Sequence, residues 1–292
     1  MSKNDTRKGI FFILLAALGF SLMTFFVNLS GDLPTMQKAF FRNAIALIFS
    51  SVLLLRSRDN LNLPGKDVPF LLLRCIFGTT GLIANFYAID KIGLADSNML
   101  NKLSPFFAIL ISIPILKEKP KAFDIITTVV AFLGSLLIIK PGASFNSFPA
   151  LVGLYGGFGA GTAYVFVRKI TADGVRPPLI VFCFSLFSTL VTFPFLVLSY
   201  TPMDPKQLLC LLMAGLSATL GQFSITTAYK YAPAKEISVF DYVQVLFAVV
   251  LGFLFLGQIP DRYSIIGYVV IIGTALFRWH VTNKKEQIIS AP

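Results

Sequence analysis

Lys102 lies inside the hydrophobic run 93–116 and Asp241 inside the run 236–257, positions where an apolar chain has no structural use for charge. A charge at the centre of a bilayer costs about 2.5–3.5 kcal/mol on insertion scales, so such groups face one another or a wet cavity. Asn98, Asn101, Lys102 and Pro105 follow i, i+3, i+4, i+7 spacing and share one helical face. Adding 140 to each number leads to Ser238, Asp241, Tyr242 and Val245, a second polar stripe. A rise of about 1.5 Å per residue brings Lys102 and Asp241 toward the midplane from opposite sides, roughly 9 Å apart along the membrane normal. The expectation is that they flank a substrate site, pairing when it is empty. Asp241 is also the best-placed proton-binding group for coupling.

Other polar residues fall into ranks around this pair. Arg74, Gly78, Gly81 and Asn85 share a face of the third apolar run, its glycines leaving room for close approach. Asn85, Tyr164 and Gln222 are expected on the cavity wall, with Ser21 and Thr24 as weaker candidates. Arg74 is expected to snorkel to the cytoplasmic surface and Arg42 to support helix packing, and these two with Glu118 are the expected structural or gating groups. Gly153, Gly157 and Gly161 form a small-xxx-small row suited to helix contact. Counting Arg42, Lys102 and Arg74 against Asp241, the cavity leans positive, which favours a carboxylate-bearing substrate over a purely cationic one.

The elements that must carry these groups follow from composition. Of 292 residues, 55% are hydrophobic and 13% charged, where soluble domains carry about 25% charge. Ten apolar runs of roughly 20 residues fit a hydrocarbon layer about 30 Å thick, at approximately 9–28, 35–55, 68–89, 93–116, 121–140, 150–168, 178–199, 206–229, 236–257 and 262–280. The expected fold is therefore an all-α polytopic membrane protein of ten transmembrane helices. With His280 the only histidine and Cys75, Cys183 and Cys210 at unrelated spacings, no metal site or disulfide framework is expected. No GxxxxGK[ST] is present, so neither cofactor nor nucleotide is called for and a gradient or an exchange partner must drive the work.

The net charge of +11 has a topological explanation. Lys3, Arg7, Lys8, Arg56, Arg58, Lys66, the lysines 117, 119 and 121, Arg168, Lys169 and Arg176 share one face with Lys230, Lys235 and the basic tail. The other face holds only Lys91, Lys140, Lys206 and Arg262. The positive-inside rule then places both termini in the cytoplasm of a cell-membrane protein, with lipid as the neighbour and no nucleic-acid partner. Gly81 and Gly221, Ala88 and Ala228, Asp96 and Glu236, and Pro120 and Pro260 match at the same offset of 140, so 1–145 and 146–292 read as two five-helix repeats. Five is odd, so the second repeat enters with opposite polarity, an inverted pair able to adopt mirror-related states.

Several segments together resemble the EamA-type family of the drug/metabolite transporter superfamily. Leu14 to Ser21 looks like its opening helix without the usual tryptophan, and Ala39-Phe40-Phe41-Arg42 like its second-span segment. Leu116-Lys117-Glu118 with Pro120 and Leu256-Gly257-Gln258 with Pro260 look like its twice-repeated helix end, Gln258 standing where glutamate is common. The resemblance implies a secondary carrier, not an enzyme, with a central cavity lined by helices 1, 3, 4, 6, 8 and 9. Its substrate class stays open: an amino acid, organic anion or related zwitterion, or alternatively a cationic drug for export or S-adenosylmethionine for uptake. Proton or counter-substrate coupling, and a monomer or homodimer, are equally open. A membrane-embedded enzyme would need clustered acids or histidines, and an inert scaffold has no need of charged midplane stripes.

Overall fold

The computed structural model describes residues 3–56, 63–139, 148–257 and 262–289. In chain order the helices are α1 (Lys3–Leu29), α2 (Thr35–Arg56), α3 (Val68–Asn101), α4 (Ser104–Leu116), α5 (Ala122–Ile139), α6 (Phe148–Ala172), α7 (Pro177–Leu198), α8 (Pro205–Tyr231), α9 (Ala234–Ile237), α10 (Val243–Leu256) and α11 (Arg262–Ile289). Short 3-10 turns cover Gly65–Asp67 and Ser238–Tyr242. Among the described residues, nine stretches are long and apolar enough to cross a membrane, and α4 is a shorter apolar helix. Gln258, Pro260 and the expected boundary between 145 and 146 lie outside the described residues.

The element α3 is not one straight rod. Ser97 Oγ donates to the Asn85 carbonyl at 3.0 Å across 12 residues, which a straight helix would spread over roughly 18 Å. The chain doubles back between them, so the third and fourth spans form a helical hairpin, as the two apolar runs require. The returning arm is interrupted at Lys102 and Leu103 before α4 resumes, with Pro105 in its first turn. There a missing N–H costs nothing. In the second half the 3-10 turn Ser238–Tyr242 makes the corresponding interruption between α9 and α10. In sequence each run reads through as one span; Pro105, in the middle of the run 93–116, marks the first break, while no glycine or proline marks the second.

Helix ends also repeat. Lys117 closes α4 at φ 54° and Gly257 closes α10 at φ 64°, positions 140 apart in the left-handed region that ends helices. Upstream of α8, Asp204 accepts from Gln207 N at 2.7 Å while Gln207 Oε1 accepts from Asp204 N at 3.1 Å, a reciprocal cap ahead of Pro205.

The packing has a two-fold pattern: α1 lies on α8 and α6 on α3, while α2 pairs with α7 and α5 with α11. Exchanging the halves swaps the first two contacts and leaves the others unchanged. The closest approaches match at residue level. A Cβ at Gly19 would stand 2.9 Å from Gly221 Cα, and one at Gly159 would stand 2.9 Å from Gly81 Cα. Both 19 and 159, and 81 and 221, differ by 140. The expected row Gly153, Gly157 and Gly161 also packs closely, facing Leu100, Asn101 and Ser104. Outward faces carry large apolar side chains, among them Leu55, Leu198, Leu254, Phe255 and Val269, as a lipid-facing belt demands.

Candidate functional site

The two interruptions meet. Lys102 sits at the C-terminal end of α3, where the negative end of the helix dipole favours a cation, and Asp241 just before α10, where the positive end favours an anion. Lys102 Nζ donates to Asp241 Oδ2 at 3.0 Å and to Gln244 Oε1 at 2.7 Å, with side-chain exposures of 7% and 15% for the ion pair. The expected pairing is thus present and much tighter than the axial estimate. An interrupted helix turns its side chains and carbonyls inward, and the lysine spans the remaining distance. Tyr242 donates from its hydroxyl to the Lys102 carbonyl at 2.9 Å, holding the two breaks together.

Three adjoining cavities surround this pair. A central chamber of about 110 Å³ is lined by Arg42, Arg74, Asn85, Asn98, Asn101, Lys102, Tyr164, Gln222, Asp241 and Gln244, among others. A vestibule of about 740 Å³ shares Thr24, Asn85 and Asn98 with it and opens beside Asn28, Asp32, Lys38 and Thr201. A side cavity of about 370 Å³ runs along α1 and α10, past Ser21, Asn101 and Gln244. The lining spans are those the resemblance implied, with Arg42 from α2 and Phe184 from α7 added.

Two expectations for arginines are corrected. Arg74 does not snorkel: it is 2% exposed, with its guanidinium carbon 4.1 Å from the Phe184 ring centroid. A Cβ at Gly78 would collide with that guanidinium, so the glycine one turn on is the seat into which it folds. Arg42 is not confined to packing; it is buried, donates to Met23 Sδ at 3.2 Å and Asn43 Oδ1 at 3.1 Å, and reaches the chamber wall. Among the described residues neither guanidinium meets a carboxylate. Ser238 and Tyr242, expected on the wall, are instead buried behind it, because the 3-10 turn rotates them away from the helical face assumed for them. Gln244 was missed. It lies three residues after Asp241 and 140 after Ser104, so the same offset could have found it. Asn85 accepts from Ser97 Oγ through both its carbonyl and, at 3.1 Å, its Oδ1.

Glu118 lies far from this chamber, on the rim that carries the N-terminus. There Thr6 Oγ1 donates to Glu236 Oε2 at 3.1 Å, and Arg168 donates to the carbonyls of Tyr229 and Lys230 at 3.2 and 2.7 Å. Arg278 pairs with Asp124 at 2.6 Å and donates to the Lys235 carbonyl at 2.6 Å. A Cβ on Gly9 would overlap Ala232, so α1 and α8 touch there. Burial raises the Glu118 carboxyl above its ordinary 4.5, opposed by Lys235 and Arg168. Its Oε2 has no hydrogen-bond partner. One rim is therefore closed and the other open.

A bundle of membrane-length apolar helices, two of them interrupted where they meet at a charged chamber, has the build of a multi-pass membrane transporter. Comparison agrees: residues 7–140 and 147–278 each match the EamA-like transporter family. The chain belongs to that family of the drug/metabolite transporter superfamily and is a membrane transporter, not an enzyme. It is 35% identical to the pseudopaline exporter CntI of Pseudomonas aeruginosa, over 91% of this chain and 94% of that one. It is 24% identical to the riboflavin transporter of Rhizobium johnstonii, over 96% and 93%, and 24% to human solute carrier family 35 member G1, over 94% and 81%. A crystal structure of a chain 15% identical superposes with a TM-score of 0.80 over 98% of this chain and 100% of the other, a likeness of fold alone.

Proposed function

We propose that the protein is a secondary carrier of a small carboxylate-bearing metabolite, an amino acid, organic anion or related zwitterion, working by alternating access. The carrying observation is the charge of the central chamber: Arg42, Arg74 and Lys102 stand against Asp241 alone among its lining residues. Electrostatic complementarity then selects anions and disfavours simple cations. Similarity to an exporter supports outward movement. The two family matches, five spans each, support an inverted pair with 1–145 and 146–292 as its halves. With both termini in the cytoplasm by the positive-inside rule, the open vestibule faces outward and the Glu118 rim is the closed inner gate. Exchanging the conformations of the halves would open that gate and shut the vestibule.

The test is counterflow into proteoliposomes with amino acids, organic anions, S-adenosylmethionine and quaternary ammonium compounds. Flux of carboxylates is expected. Exclusive transport of quaternary ammonium compounds overturns the reading. An imposed pH gradient tests coupling, and flux that ignores it removes Asp241 from any proton-carrying role.

A further inference from the structure

We infer that Arg42 and Arg74 form an anion clamp, separate from the Lys102–Asp241 pair, that selects amine substrates carrying two or more carboxylates. The inference rests on the carboxylate reading above and narrows it. Lys102 already has its counter-charge in Asp241 at 3.0 Å. The two arginines have none among the described residues, though both line the chamber and are 7% and 2% exposed. Burying a charge without a partner costs several kcal/mol, which an incoming anion relieves. Arg74 Nε and Gln222 Nε2 are buried without hydrogen-bond partners, so the wall offers free donors. Only an acceptor-rich ligand satisfies them.

Arg74 is held ready for such a ligand. Its guanidinium lies on the Phe184 ring and in the space left by Gly78, so little side-chain freedom is lost on binding. The chamber of about 110 Å³ accepts a compact charged head, and the vestibule of about 740 Å³ beyond Asn85 and Asn98 accepts the rest of the molecule. A substrate amine would take the Lys102 position on Asp241, freeing that lysine for a further carboxylate. Two arginines and one lysine against one aspartate thus match an amine with two or three carboxylates.

The experiment is counterflow of labelled glutamate by the full-length protein in proteoliposomes, in metal-depleted buffer. Competitors are glycine, iminodiacetate and nitrilotriacetate, amines with one, two and three carboxylates, and glutamine as the amide of glutamate. In the wild type, competition should strengthen at least tenfold from glycine to iminodiacetate, and glutamate should exceed glutamine by a similar factor. In R42M and R74M these ratios should fall toward one. R74K, which keeps the charge but not the planar fork, should give an intermediate ratio, and it serves where R74M does not fold. Equal competition by all competitors in the wild type overturns the clamp while leaving the carboxylate reading intact. So does an equal loss for every competitor in the variants. A wild type that moves no carboxylate but does move a quaternary ammonium ion overturns the broader reading itself.

Discussion

Lys102 and Asp241 are worth more together than apart. Both are largely buried, and each satisfies the other at the breaks of two different helices. Removing one leaves a buried charge alone, a loss of about 3–5 kcal/mol, whereas removing both leaves a neutral site. K102M and D241N are each expected to lower the melting temperature in detergent, and the double variant to recover most of it. Flux of the double variant should stay at least tenfold below wild type in proteoliposomes. Normal flux would take the pair off the transport route. Glu118 makes a different claim. Burial raises its pKa above 4.5 in the closed rim, so that rim binds more protons than an opened, hydrated one. Linkage then favours the closed rim as pH falls from the raised value toward 4.5 and penalises it above. Glu118→Gln stays neutral throughout, so the pH dependence of flux across that window should flatten. An unchanged pH profile would remove Glu118 from the gate.

Among the helices, the matched contacts Gly19–Gly221 and Gly81–Gly159 set how closely the halves approach. A methyl at 159 would meet backbone, 2.8 Å from Phe77 O and 2.9 Å from Gly81 Cα, so α3 and α6 must part. Overpacking of this kind costs about 1–3 kcal/mol. Gly273 has nothing within 4 Å of the same construction, and alanine there should stabilise α11 by up to about 1 kcal/mol through helix propensity. Thermal unfolding of G159A and G273A should therefore move in opposite directions. The interruptions behave as paired elements too. Both place a charged residue at a helix end of complementary dipole, and Tyr242 ties one break to the other.

For the molecule as a whole, the proposed alternating access makes a closed rim with an open vestibule one state of the cycle. Joining Thr6 to Glu236, whose side chains meet at 3.1 Å, should hold the rim shut. T6C with E236C, bridged by a short bifunctional thiol reagent after replacement of Cys75, Cys183 and Cys210, is expected to abolish flux while ligand binding from the vestibule persists. Flux that survives complete bridging would mean the rim is no gate.

The sequence by itself determined the class of fold, the ten apolar spans, the 140-residue offset and the pair Lys102 with Asp241. Hydrophobic length and the cost of charge in a bilayer are local properties, legible residue by residue. The same offset, applied once more, reaches Gln244. What only the tertiary structure decided is where the arginines end. Arg74 turned inward because Gly78 and Phe184 from another helix make a seat for it, and Arg42 reached the chamber because α2 packs beside it. Ser238 and Tyr242 turned away because their helix gives way to a 3-10 turn. The contact of Arg74 with Phe184 and the reach of Arg42 into the chamber depend on helices far off in the chain, about which periodicity along one helix carries no information.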